Sequence, residues 1–242
     1  MIELLYSDPA LVSIYDALNA GGEDFRFYEA MIGSVPLRVV DLGCGTGRFA
    51  AAMAAKGHEV VGVDPAPRML DVARTRPGGQ AVRWVQGDAS ALPGKAELDV
   101  VVMTGHAFQC LLSNAAVSST LAAIRAALAP GGRLMFESRN PLDRPWRRWT
   151  PDASLRTAPD CDGNTASARH TVTCVRGEFV TFVTDYDLPA GRLSSQSTLR
   201  FLPKEAIDHH LREQGFLDIS YYGDWSGSTF ANSSREIVVI AS

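Results

Sequence analysis

The chain has 242 residues, 46% hydrophobic and 21% charged, a composition that lets a globular domain bury a core. Its net charge of -4 and pI of about 5.7 lack the basic footprint of a nucleic-acid binder, so no nucleic-acid partner is expected. No apolar run approaches about 18 residues and the opening residues do not read as a secretory leader, so no membrane span is expected and the assignment is cytoplasmic.

Two short helices are predicted before about Ser34, around the turn Ala20-Gly21-Gly22, with aromatics that pack on the core or cover a ligand. Leu37 to Asp41 reads as a first strand and Phe49 to Lys56 as a helix stopped by Gly57. Glu59 to Asp64 is a second strand, Pro67 to Arg74 a helix, Val82 to Gln86 a third strand and Leu98 to Met103 a fourth. Asn114 is placed as the cap of a helix that Pro130-Gly131-Gly132 stops, before a fifth strand from Arg133 to Ser138. This alternation predicts a doubly wound α/β fold with a mostly parallel sheet. The apolar strands agree, since both sheet faces would be covered.

The pattern changes after the fifth strand. Val172 to Val175, Phe179 to Val183 and Arg192 to Phe201 read as an antiparallel insertion. Pro203 is expected at the first position of a further helix, closed by Gly215. Phe216 to Tyr222 and Ile237 to Ala241 then bring the sheet to seven strands, as a hairpin at one edge. The four cysteines, Cys44, Cys110, Cys161 and Cys174, lack paired metal spacing, so they are read as reduced thiols and no metal is expected.

Chemistry concentrates at the strand ends. The first strand runs into a turn with glycines at 43, 45 and 47, a sequence that lets a ligand approach the backbone and aims free N–H groups at it. Asp64 ends the second strand, about 20 residues beyond Gly45, where a carboxylate can accept from ribose hydroxyls. Asp88 follows the third strand and Thr104-Gly105-His106 the fourth. All lie at carboxyl ends of parallel strands, where open α/β sheets bind ligands.

With these residues in place the chain resembles the class I S-adenosylmethionine-dependent methyltransferases, over roughly residues 35 to 140. The segment Val39 to Gly47 is similar to their first motif, with Asp41 two places before the first glycine. A dinucleotide-binding turn would more often carry its third glycine three places after the second, and position 48 here is Arg. The resemblance implies a Rossmann-like fold, S-adenosyl-L-methionine as cofactor, Asp64 on the ribose, Met69 against the adenine and Gly87-Asp88-Ala89 reading the adenine amine. The cofactor contacts expected are Asp41, Gly43, Cys44, Gly45, Gly47, Asp64, Pro65, Met69, Asp88, Ala89 and Thr104, with Tyr15 covering the site. No asparagine-proline-aromatic motif follows the fourth strand, which argues against a nucleic-acid base as acceptor.

The expected activity is methyl transfer to a small molecule, in one domain. Residues 1–34 are read as a helical lid, 35–140 as the cofactor core, 141–202 as a β-rich cover over the acceptor and 203–242 as the end of the sheet. His106, Arg139 and Asn140 are the candidate acceptor contacts, with Arg139 able to pair with an anion, and no catalytic residue is assigned. The alternatives are a cofactor-binding sensor without turnover and a nicotinamide-dependent oxidoreductase. The acceptor, the use of a general base and the oligomeric state are not legible at this level.

Overall fold

The computed structural model describes residues 2–160 and 163–242, so Cys161 lies outside the described residues. Three helices come first: α1 (Leu4–Ser7), α2 (Pro9–Leu18) and α3 (Glu23–Ile32). Asp8 starts α2 by accepting from the N–H groups of Ala10 and Leu11, and Pro9 occupies the first helical position, where no N–H is needed.

The α/β part alternates as predicted: β1 (Arg38–Leu42), α4 (Arg48–Ala55), β2 (Glu59–Asp64), α5 (Pro67–Thr75), β3 (Val82–Gln86), β4 (Leu98–Met103), α6 (Asn114–Ala127) and β5 (Leu128–Arg139). The inserted strands are β6 (Arg156–Pro159), β7 (Thr165–Arg176), β8 (Phe179–Leu188) and β9 (Gly191–Arg200). The chain closes with α7 (Lys204–Glu213), β10 (Ile219–Tyr222) and β11 (Glu236–Ala241). The main sheet has seven strands in the order β10-β11-β5-β4-β1-β2-β3, and β11 alone runs against its neighbours. The insertion forms a separate antiparallel sheet in the order β6-β7-β8-β9.

Helices cover both faces of the main sheet. On one, Leu121 and Ile124 of α6 and Ile207 and Leu211 of α7 pack on Val101, Phe136 and Val239. On the other, Phe27 and Tyr28 of α3 and Phe49 and Met53 of α4 pack on Val39, Val100 and Val238. Helix α2 does neither: its Leu11, Ile14 and Leu18 pack on Ala158, Ala166 and Ala168 of the insertion. The N-terminal helices thus split, α3 onto the main sheet and α2 onto the inserted one.

Several boundaries differ from expectation. Ser113, not Asn114, caps α6, by accepting from Ala116 N–H. Pro203 is the N-cap of α7 rather than its first residue, in extended backbone. Pro130-Gly131-Gly132 is an excursion inside β5: Leu128 pairs with Leu98, the register shifts, and pairing resumes at Arg133 with Val100. Strand β7 begins at Thr165, where it pairs with Pro159 of β6, and its Ala166 and Ala168 are small enough for α2 to lie directly on them. Phe216 is fully buried before β10 starts.

Candidate active site

The glycine turn after β1 crosses to α4 through left-handed backbone, with Gly43 at φ 79°, Gly45 at 52° and Gly47 at 75°. Two of these glycines have separate steric reasons. A Cβ on Gly47 would lie 2.3 Å from the Trp84 ring, and one on Gly43 would lie 2.9 Å from the Ala107 methyl group. The turn does not present the bare N–H groups that its sequence implies. Gly43 and Cys44 donate to Val63 carbonyl oxygen, Gly47 to Cys44 carbonyl oxygen, and Gly45 to Asp64 Oδ2 at 2.8 Å. With these donors used inside the protein, the turn is not a phosphate cradle.

Asp64 anchors the other end of this arrangement, since its Oδ1 accepts from Ala66 N–H at 2.8 Å. Burial raises its pKa, opposed by these two hydrogen bonds. Asp88 is held below the usual carboxylate range by its bonds to Ser90. The N-terminal helices are tied to the same turn. Thr46 Oγ1 donates to Asp16 at 2.5 Å, Arg76 bridges Asp16 and the Thr46 carbonyl, and Arg48 donates to the carbonyls of Asn19 and Gly21.

These elements enclose a cavity of about 600 Å³. Its wall includes Gly43, Cys44, Gly45, Asp64, Pro65, Met69, Asp88, Ala89, Thr104 and Tyr15 of the expected cofactor set. Gly47 is not on the wall, nor is Asp41, whose carboxylate is fully buried without a hydrogen-bond partner. Burial, then the charge of Asp64, pushes Asp41 up to about 7. The wall carries Glu3, Asp16, Asp24, Asp64 and Asp88 against Arg48 as its one guanidinium. This volume suits a nucleoside-sized ligand, and the acidic wall suits a cation such as a sulfonium bearing an ammonium.

A second cavity of about 150 Å³ adjoins it beneath the inserted sheet. Tyr6, Tyr15, Asn19, Gly105 and Cys110 line both. His106 and Arg139 lie on its wall, whereas Asn140 is buried away from both cavities. The Asn140 amide holds the carbonyls of Asn232 and Ser234, and so fixes the approach to β11.

His106 sits in left-handed backbone at φ 63°, and its N–H donates to Glu137 Oε1 at 2.6 Å. Its Nε2 meets Glu236 Oε2 at 3.0 Å, while Nδ1 makes no hydrogen bond and is not sealed from solvent. Burial, with the Arg139 charge, lowers the His106 pKa. Glu137 is fully buried, accepts Tyr28 OH at 2.5 Å and is pushed up to about 8, chiefly by burial. Burial also holds Tyr15 as a neutral phenol, with its pKa at about 12.

Glu137, Glu236, Gln109, Arg156 and His170 were not foreseen from sequence. Glu137 lies inside an apolar strand, Gln109 lies in the turn after β4, and Glu236, Arg156 and His170 become neighbours of the site only when β11 and the insertion pack against it.

A family model described as a methyltransferase domain matches residues 39–132, the stretch that builds the acidic cavity. Residues 39–132 thus form a methyltransferase domain similar to those of the class I S-adenosylmethionine-dependent methyltransferases. S-adenosylmethionine is the cofactor of that family, and the nicotinamide and non-turnover alternatives are not favoured. Uncharacterized methyltransferase sll0829 of Synechocystis is 33% identical over 59% of this chain and 66% of its own length. The malonyl-[acyl-carrier protein] O-methyltransferase of Methylococcus capsulatus is 37% identical over 44% of this chain and 39% of its own length. The matched stretch therefore spans less than two thirds of these curated relatives. Among solved structures, the CcbJ methyltransferase of Streptomyces caelestis superposes with a TM-score of 0.73 at 22% identity, over 98% of both chains. SAM-bound CalS10 of Micromonospora echinaspora, an amino pentose methyltransferase, superposes at 0.70 with 23% identity over 94% of this chain and 96% of its own. At that identity these two likenesses describe the fold.

Proposed function

We propose that this protein transfers a methyl group from S-adenosylmethionine to a small-molecule acceptor held beneath the inserted sheet. One observation carries the reading: an acidic, nucleoside-sized cavity adjoins a smaller one that has no carboxylate among its described lining residues, across a shared wall of Tyr6, Tyr15, Asn19, Gly105 and Cys110. In this reading Asp64 holds the ribose, Met69 and Ala89 flank the adenine, Asp88 accepts from its amine, and Gly43 and Gly45 floor the amino-acid end. Residues 1–34 act as the lid, 35–140 as the cofactor core, 141–202 as the acceptor cover and 203–242 as the closing part of the sheet. Among the described residues no helix is long and apolar enough to cross a membrane. A cytoplasmic enzyme without nucleic-acid partners is part of the same proposal.

When bound, the cofactor supplies an electrophilic methyl group on a cationic sulfur. The chain then has to hold the acceptor in line, exclude water, and take up any proton the acceptor must lose. Tyr6 and Tyr15, kept neutral by burial, present phenol groups between the two cavities. His106 is the proton acceptor we assign. Glu236 orients the ring from Nε2, burial keeps it neutral, and the lone pair at Nδ1 is unopposed. Glu137 positions the His106 backbone without touching either ligand.

Calorimetry with S-adenosylhomocysteine, followed by a methyl-transfer screen over amines, hydroxyls, thiols and carboxylates, tests the reading. Binding with transfer to one acceptor class is expected. No binding of S-adenosylhomocysteine would sink it.

A further inference from the structure

We infer that the acceptor carries an anionic group, a carboxylate or a phosphate, seated between Arg139 and Arg156 in the smaller cavity. This rests on the reading of that cavity as the acceptor site.

Arg139 and Arg156 both line this cavity, and both are largely removed from solvent. Among the described residues neither has a carboxylate within the 4.0 Å of an ion pair, and none of those lining the cavity is Asp or Glu. Elsewhere in the molecule Arg76 pairs with Asp16 at 2.5 Å and Arg200 with Glu178 at 2.9 Å, while Arg48 and Arg133 donate to backbone carbonyls instead. Removing a cation from water is unfavourable unless an opposite charge or a full set of hydrogen bonds replaces the lost hydration. Two such cations on one wall therefore mark a position that an anion completes.

The hydrogen bonds show which donors remain. Arg139 Nη1 donates to Gln109 Oε1 at 2.9 Å, and its guanidinium lies over the Trp149 ring at 5.5 Å. Those contacts fix the plane and leave Nε and Nη2 without a partner among the described residues. Arg156 Nη1 donates to Asn19 Oδ1 at 2.8 Å and to the Leu18 carbonyl at 3.3 Å, and its Nη2 meets His170 Nε2 at 2.9 Å. Its Nε is buried and unpartnered. A guanidinium only donates, so His170 Nε2 must accept and Nδ1 carries the proton, toward Thr184 Oγ1 at 2.8 Å. His170 is thus neutral and neutralises neither arginine. Glu137 and Glu236 act on Arg139 only through space, each already bonded to His106. A cavity of about 150 Å³ takes a ring the size of benzene, so the anion belongs to a compact acceptor or to one end of a longer one.

The test titrates benzoate, phenyl phosphate and neutral benzamide into the full chain, with and without saturating S-adenosylhomocysteine, by calorimetry. At least one anion is expected to bind tenfold or more tighter than benzamide. Arg139→Gln and Arg156→Gln should each remove that preference while S-adenosylhomocysteine affinity stays unchanged, since neither arginine lines the larger cavity. Arg139→Lys, which keeps the charge but not the fork, should retain part of it and serves as the folding control. Tighter phenyl phosphate assigns a phosphorylated acceptor, and tighter benzoate a carboxylated one. Equal affinity for benzamide and the anions, absence of anion binding, or a preference that survives both glutamine variants would overturn the inference. The titration without S-adenosylhomocysteine makes failure of the anion site distinguishable from failure of the cofactor site.

Discussion

The two cavities differ in charge and in how the chain makes them. The larger is acidic and most of its wall comes from turns that follow consecutive strands between residues 42 and 112. The smaller is lined by two guanidiniums and two imidazoles, drawn from segments as far apart as Leu5 and Leu199. A parallel sheet sets its strand ends on one edge, so a ligand site there needs only short local signals. A site between two sheets needs both sheets and the helix joining them. Here α2 makes that junction, packing on the insertion while Asp16 and Asn19 near its end hold Thr46 and Arg48 of the glycine turn.

The sharpest way to separate the two halves is His106→Ala. Loss of a proton acceptor should lower the methyl-transfer rate by roughly 10²–10⁴-fold, with S-adenosylhomocysteine affinity unchanged. A variant that keeps its full rate removes His106 from the chemistry. Gly47→Ala should damage the cofactor half instead. The added Cβ meets Trp84 in left-handed backbone, so a loss of about 3 kcal/mol is expected from urea unfolding. Asp64→Ala should weaken S-adenosylhomocysteine by about 1–3 kcal/mol in calorimetry, and an unchanged affinity would refute its ribose role.

A smaller effect follows from the buried acids between the halves. Glu137 and Asp41 have folded pKa values raised to about 8 and about 7, from ordinary values of 4.5 and 3.8. Each binds more protons folded than unfolded across its interval, so its contribution is present below the ordinary value and is lost as pH rises through 7 to 8. His170, lowered to about 4 from 6.5, does the opposite and loses its contribution as pH falls through that range. The melting temperature should therefore fall between pH 6 and pH 9. Glu137→Gln, whose amide oxygen can still accept His106 N–H while its NH2 donates to the Tyr28 hydroxyl oxygen, should flatten that fall, and an unchanged slope would show that Glu137 does not titrate there. The smallest change is Asp8→Ala, which removes the cap of α2 and should cost about 1 kcal/mol of stability without altering either ligand.

How far each half was legible follows from the same contrast. Asp64, Met69 and Asp88 were placed from the sequence because strand, turn and helix follow one another within a few residues, and all three line the larger cavity. Gly47 was read as a cofactor contact, but its glycine is required by Trp84, a partner on β3 that the motif does not contain. Asn140 was grouped with Arg139 by adjacency, yet neighbours at a strand end diverge, and its amide holds the segment leading into β11. Strand β6 was missed because Arg156–Pro159 lacks alternating apolar residues and exists by pairing with β7.

The sequence alone determined the parallel half of the sheet and the cofactor class, because hydrophobic runs, glycines and terminal carboxylates act over one turn of chain. Only the tertiary structure decided the character of the smaller cavity. Charge at a site is a sum over groups brought near in space, and Arg139, Arg156, His106 and Glu236 meet only after two sheets and a helix have packed. The same packing changed the meaning of the glycine turn, whose N–H groups look free in the sequence and are held by Val63, Cys44 and Asp64 in the fold.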